Sequence, residues 1–497
     1  MLFNSLEFLL FFPIVVLMYY ILPPKVRYIQ LLAASYYFYM CWNAKYALLL
    51  LFSTVVTYLC GLVLEKIKHL SWEEGRIIRA KKICVAVGVI LNLSVLFFFK
   101  YLDFAISNLN RILNIANIEW NAPAFDIILP VGISFFTFQA LGYIIDVYRD
   151  DIYAEKNFLR YALFISFFPQ LVAGPIERSK NLLVQLQKTS RLKWVNFRNG
   201  MLLILWGLFL KLVIADRAAI IVNAVYGAPE TYRGFYILVA TFLFAFQIYC
   251  DFYGYSIIAK GASCILDIQL MNNFDAPYFS RSVKEFWQRW HISLSSWFRD
   301  YLYIPLGGNR KGAIKKERNR LIVFGLSGLW HGASISFIAW GLLNGIYQTI
   351  ADFRVSIKKK LPVKICENKD SLSSNIRKTF VTFCLICFTW IFFRAGDMSD
   401  ALLVIRNLFE LNWYILFDGS LYSLGISEIY FRKLIFFICV LLFVDYLKYK
   451  KVNVVEQVME QEWWFKGLIY LLLFFMVVLF GCYGNEYDAS QFIYFQF

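Results

Sequence analysis

Long apolar runs separated by short polar joints are the dominant pattern of this chain, and most are near the ~20 residues a helix needs to cross a bilayer. Crossings are predicted near 6–22, 28–41, 45–64, 83–101, 127–148, 199–215, 235–259, 379–394, 431–447 and 467–483. Basic clusters at Lys66–Lys82, Arg178–Arg198, Arg310–Arg320 and Arg354–Lys364 mark cytoplasmic loops, whereas 102–126, 218–232 and 395–430 are poor in Lys and Arg and face outside. This count places both termini outside. Two further apolar stretches, 158–176 and 320–350, do not fit single crossings by the same parity. The second is also too long, about 45 Å as a helix at ~1.5 Å per residue. A re-entrant pair of half-helices turning near Trp330-His331-Gly332 fits it, with Gly325, Gly328 and Gly332 allowing close helix approach. The first stretch ends in Phe168-Pro169-Gln170-Leu171-Val172-Ala173-Gly174-Pro175, where prolines and a glycine predict a broken helix.

Between Arg281 and Tyr301 the pattern changes. Val283, Phe286, Trp287, Trp290, Leu294, Trp297, Phe298 and Tyr301 recur at helical spacing opposite Glu285, Arg289, Ser296 and Arg299, which predicts an interfacial amphipathic helix over 281–301. His291 falls at the rim of its aromatic stripe, placed either to point into the bundle or to lie among headgroups.

Composition agrees with an all-α polytopic membrane protein built as one domain over 1–497: 60% of residues are hydrophobic, 17% charged, and the mean hydropathy is +0.57. The net charge of +16 sits in the joints rather than on one patch, so it signals topology and disfavours nucleic acid. Ten cysteines lie scattered in apolar runs. Cys384-x-x-Cys387 within a hydrophobic span reads as packing, and neither a disulfide nor a metal is assigned. The first residues lack a basic n-region and a small-residue cleavage site, so the first span is expected to stay in the mature protein.

Chemistry narrows to few residues. Serine nucleophile elbows, phosphate loops and metal clusters are absent from the sequence. Only three histidines occur, and His69 lies in a basic loop. His331 sits in the apolar run 320–350, and an ionisable side chain at membrane depth is expected to serve a function. An imidazole with an ordinary pKa of ~6.5 suits proton abstraction from a hydroxyl. Gln247 and Asp251, with Tyr249, Tyr253 and Tyr255, close the span 235–259; Asp251 reads as a capping or interhelical hydrogen-bonding group rather than a catalytic one, and Lys260 as a boundary anchor.

Five stretches together resemble the membrane-bound O-acyltransferase family, in its bacterial branch of alginate O-acetylases and peptidoglycan or cell-wall polysaccharide O-acetyltransferases. They are Leu171–Ile176, Asp251–Ser256, Phe286–Ser295, Arg299–Arg310 and Gly328–Gly332, and the likeness extends over essentially the whole chain, with its motif core at 274–332. The resemblance implies His331 as the catalytic base and His291 as the second active-site histidine, with Trp330, Trp290, Gln247 and Asp251 supporting a tunnel that opens to an outer funnel. It implies acetyl-CoA or another acyl thioester as donor substrate with no bound cofactor, and a multi-pass place in the bacterial cytoplasmic membrane among its lipids. Tyr253 stands where the family usually carries Ser, and Lys260 where it has an apolar residue, which bears on the acceptor rather than the chemistry.

The tail 485–497 ends in Phe492-Ile493-Tyr494-Phe495-Gln496-Phe497, similar to an aromatic motif of this branch. Tyr494 is expected either to accept the acyl group and relay it to a secreted SGNH (esterase-like) transferase or polysaccharide export complex, or to serve as an interfacial anchor. D-alanyl transfer from a carrier protein to teichoic acid, a lipid or polysaccharide transporter, and a non-catalytic scaffold are the competing readings.

Overall fold

The computed structural model describes residues 1–118, 120, 122, 123, 125, 129–188, 190–310, 312–360, 371–410, 412–483 and 493. Helices and short irregular joints make up these residues, with no strand among them. Two compact units emerge, one from Met1–Ile204 with Ser256–Met271, the other from Leu205–Tyr255 with Asn272–Phe497.

In the first unit run α1 (Leu6–Ile21), α2 (Arg27–Met40), α3 (Ala47–Lys68), α4 (Glu74–Leu96), α5 (Leu102–Ile115), α6 (Ile133–Tyr148), α7 (Phe158–Ser166), α8 (Phe168–Leu171), α9 (Ser179–Leu186) and most of α10 (Trp194–Leu208). α4 does not stop at the predicted loop. A π-type turn at Phe97–Tyr101 carries it straight into α5, giving one helical run from Glu74 to Ile115. The predicted break appears between α7 and α8 at Phe167, and Gly132 accommodates the close approach of the Leu171 carbonyl, which a Cβ would meet at 2.6 Å.

The second unit holds a π-type turn at Phe209–Ala215, α11 (Asp216–Tyr226), most of α12 (Phe235–Ile265), α13 (Val283–Arg289), α14 (Ile292–Phe298), α15 (Ala313–His331), α16 (Ile335–Lys360), α17 (Leu372–Arg394), α18 (Met398–Leu408), α19 (Glu428–Tyr449), α20 (Val454–Glu460) and α21 (Trp463–Phe480).

Among the described residues, five helical runs are long and apolar enough to cross a membrane: Ala44–Lys68, Glu74–Ile115, Phe235–Ile265, Leu372–Arg394 and Trp463–Phe480. α1 and α6 are shorter apolar helices. On α1 the exposed face carries Leu6, Leu10, Ile14, Leu17 and Ile21 in a row, and on α21 Leu468, Leu471, Phe475 and Leu479 do the same. Faces of that kind require hydrocarbon rather than water around them. The chain is an all-α, multi-pass membrane protein.

The run 320–350 forms the predicted helix hairpin. α15 ends on His331, Gly332–Ser334 make the turn, and α16 returns antiparallel. Glycines set how near the arms come. A Cβ on Gly328 would lie 2.2 Å from the Phe337 carbonyl oxygen, and one on Gly341 would lie 2.2 Å from that of Phe324. At the open end Arg320 bonds Glu317 and Asp352 at 2.6 Å each, Lys316 also pairs with Asp352, and Thr349 donates to Glu317 at 2.7 Å. Backbone packing along the arms and an ionic clasp at their base therefore fix where the turn, and His331 in it, can sit.

The single helix predicted over 281–301 is corrected by the structure. α13 begins at a serine N-cap, Ser282 accepting from the Glu285 N–H at 3.1 Å, while the Glu285 carboxylate reaches back past it to accept from the Arg281 N–H at 2.8 Å. It stops at Arg289, and α14 starts afresh at Ile292. The break is His291, left-handed at φ 44° and ψ 54°.

Candidate active site

Asn273 explains why the chain breaks at His291. Its main-chain carbonyl accepts the Ile292 N–H at 2.9 Å, and its Oδ1 accepts the Ser293 hydroxyl at 2.9 Å and the Ser293 N–H at 3.3 Å, so one loop residue caps the start of α14. The same Oδ1 lies 3.1 Å from Nδ1 of His291. With an acceptor on that side, the imidazole carries its proton on Nδ1 and presents Nε2 as the basic nitrogen. His291 is fully buried, at 0% exposure, and its ring stands edge-on to Phe252 of α12 at 4.6 Å. Of the two placements the sequence allows, the structure has the inward one.

His331, at 4% exposure, is enclosed by rings. Trp330 lies at 4.9 Å, Trp340 of α16 at 5.0 Å and Phe393 of α17 at 5.4 Å, all edge-to-face. These aromatic partners fix the ring plane with little rotamer freedom. A wider aromatic shell backs them: Trp340 stacks on Trp390 at 5.8 Å, Trp390 meets Trp290 at 5.1 Å, and Trp290 stacks on Phe286 at 5.3 Å. Trp287 donates its indole N–H to Asn344 at 3.1 Å, tying α13 to α16.

The two imidazole centroids are 6.2 Å apart at 62°, with Trp330 5.9 Å from His291. Residues forty positions apart in the chain thus share one buried aromatic chamber, walled by the rings just named. Trp330 lies against both imidazoles, and Trp290 belongs to the shell behind, against Trp390. Gln247 and Asp251 are buried on α12, and neither is hydrogen-bonded to an imidazole among the described residues. Asp251 instead pairs with Lys211 at 2.8 Å, and Lys211 pairs equally with Asp216 at 2.8 Å. Tyr494 lies outside the described residues.

Several residues of the site carry no sequence signal. Asn273 acts over 18 positions from a loop with no motif. Trp340, Trp390 and Phe393 sit in apolar helices where an aromatic residue is ordinary. Beside them lies a second buried polar group, in which the Tyr249 hydroxyl donates to Asp445 at 2.7 Å and Lys448 bonds the Tyr253 hydroxyl. Tyr253, one of the two departures noted above, stacks on Tyr249 at 5.3 Å and so joins that network rather than the chamber.

A buried pair of histidines among aromatic rings in an all-helical membrane protein suits proton transfer from a hydroxyl at membrane depth, and comparison with known proteins names the class of reaction. Residues 153–394 match the membrane-bound O-acyltransferase family. The chain belongs to that family and is an O-acyltransferase. It is 36% identical to a probable alginate O-acetylase of Pseudomonas aeruginosa, over 82% of this chain and 75% of the relative. A peptidoglycan O-acetyltransferase of Helicobacter pylori is 33% identical over 83% of this chain and 80% of its own. Similarity to a teichoic acid D-alanyltransferase of Streptococcus thermophilus, at 30% identity, reaches only 54% of this chain and 69% of the relative.

Proposed function

We propose that the enzyme moves an acetyl group from a cytosolic thioester, acetyl-CoA, to hydroxyls of a polysaccharide outside the bacterial cytoplasmic membrane. The observation that carries this reading is the pair of buried imidazoles 6.2 Å apart. One imidazole nitrogen of His331 takes the proton of the attacking hydroxyl, the oxygen bonds the thioester carbon, and the carbon–sulfur bond breaks. The proton then passes to the departing thiolate. His291, with its Nδ1 proton held by Asn273, presents Nε2 as an acceptor, so its part is to orient or take a hydroxyl proton rather than to donate to the reacting oxygens. An acetyl rather than a D-alanyl cargo is supported by the longer match to relatives named for O-acetylation.

The acceptor in this scheme is Tyr494, whose phenol oxygen receives the acetyl group and passes it to a secreted SGNH-like transferase that modifies the polysaccharide. In cells fed labelled acetate, His331→Ala made at wild-type levels abolishes labelling of surface polysaccharide. Retention of label in that variant overturns the assignment. Label on the peptide containing Tyr494 during turnover supports the relay, and an active enzyme with none there ends it.

A further inference from the structure

The ionic cluster of the second unit has a partner that the catalytic reading does not use. Lys211, Asp216 and Asp251 are all buried, and Lys211 is 2.8 Å from each carboxylate. Ionisable groups within apolar segments are tolerated when they neutralise one another. Among these three, one ammonium meets two carboxylates, and the second oxygen of a carboxylate can take a further donor. Asp251 has that donor: its Oδ2 accepts the main-chain N–H of Ile493 at 2.8 Å, across 242 positions of sequence. The Ile493 side chain is itself buried, at 1% exposure.

The geometry around this bond is built rather than incidental. Phe209–Ala215 is a π-type turn, an irregularity often found at functional positions, and it brings Lys211 toward α12. Gly254 lets α12 approach, since a Cβ there would lie 2.9 Å from the Gly207 carbonyl oxygen and 3.3 Å from the Lys211 nitrogen. The same turn holds a second point of the C-terminal segment, because the Cys482 N–H donates to the Leu212 carbonyl at 3.1 Å. Adjacent residues, Lys211 through Asp251 and Leu212 directly, thus secure positions 493 and 482. The next residue of α12, Phe252, is the ring against which His291 stands.

We propose that Asp251 is a positioning residue that docks the C-terminal segment. Its carboxylate fixes the main chain at Ile493, the residue immediately before Tyr494, with Lys211 orienting the carboxylate and Asp216 balancing Lys211. The inference deepens the relay reading given above, since docking at 493 limits where a phenol at 494 can travel. The docking itself is independent of whether Tyr494 ever carries an acyl group.

Hydrogen–deuterium exchange on the full-length enzyme in lipid nanodiscs, followed in the C-terminal peptide, tests it. Wild-type enzyme shows a protected Ile493 amide. Because a hydrogen bond to a charged group is worth a net of about tenfold or more in the closed-to-open ratio, Asp251→Ala raises exchange at that amide by at least about tenfold. Asp251→Asn keeps a carbonyl acceptor and recovers part of the protection, which a general loss of packing would not do. Tyr494→Phe leaves protection unchanged even where it stops transfer, so failure of the relay and failure of the dock are read separately. An unprotected Ile493 amide in active wild-type enzyme overturns the proposal without any variant. Unchanged protection in folded Asp251→Ala overturns it as well.

Discussion

Replacing Gly341 by alanine tests whether backbone packing in the α15–α16 hairpin positions His331. The new methyl would lie 2.2 Å from the Phe324 carbonyl oxygen, where ordinary contact begins at 3.4 Å. The arms must therefore part by about 1.2 Å, the difference between those distances, because the obstacle is main chain and cannot rotate away. Overpacking of this kind costs about 1–3 kcal/mol, of which the better helix propensity of alanine returns up to about 1. The protein should therefore still fold. α16 carries Trp340, one of the rings enclosing His331, so the displacement reaches the chamber although residue 341 touches neither histidine. A misplacement of about 1 Å in a catalytic constellation costs on the order of 100-fold in rate. The assay is labelled acetyl transfer in membranes, normalised to folded protein by fluorescence-detected size exclusion. Gly467→Ala on α21, with nothing within 4 Å of the new methyl, is the matched control and should keep full turnover. Wild-type turnover in Gly341→Ala would refute the argument, and so would a loss of activity no larger than the loss of folded protein.

Other changes probe the rest of the site. Asn273→Ala removes the acceptor for His291 Nδ1 and the Ser293 hydroxyl, and should lower stability by about 2–4 kcal/mol in thermal melts and turnover by more than tenfold. At the left-handed position 291 a β-carbon costs about 1 kcal/mol, so His291→Gly should melt higher than His291→Ala while both are inactive. Asp445→Ala strands the buried Tyr249 hydroxyl and should destabilise by about 1–3 kcal/mol, read in the same melts. Arg320→Met opens the clasp at the base of the hairpin, so protease sensitivity near Gly312 should rise and labelled acetyl transfer should fall with it.

The hairpin and its turn were legible in the sequence because two physical signals coincide there: an apolar run too long to cross once, and glycines spaced to let helices touch. The same reasoning failed over 281–301. Helical periodicity continues through Trp290 and His291, and what breaks the helix is Asn273, whose bonds to Ile292 and Ser293 depend on the tertiary fold. Histidine tolerates the left-handed region better than most residues, so the composition at the break gave no warning. Lys211, inside an apolar span, carries no sign of its role in the sequence for a related reason. Its two carboxylate partners stand 5 and 40 positions away, the second on another helix, and only the fold brings the three together.

The left-handed turn at His291 also bears on how the reaction responds to temperature. A side chain held by an inflexible main-chain turn and by Asn273 has its orientation settled when the protein folds, so little ordering remains for the passage to the transition state. Transfer should therefore show an activation entropy near zero and a barrier that is almost wholly enthalpic. In Asn273→Ala, where the ring regains rotational freedom, the intercept of an Eyring plot should fall while its slope changes little.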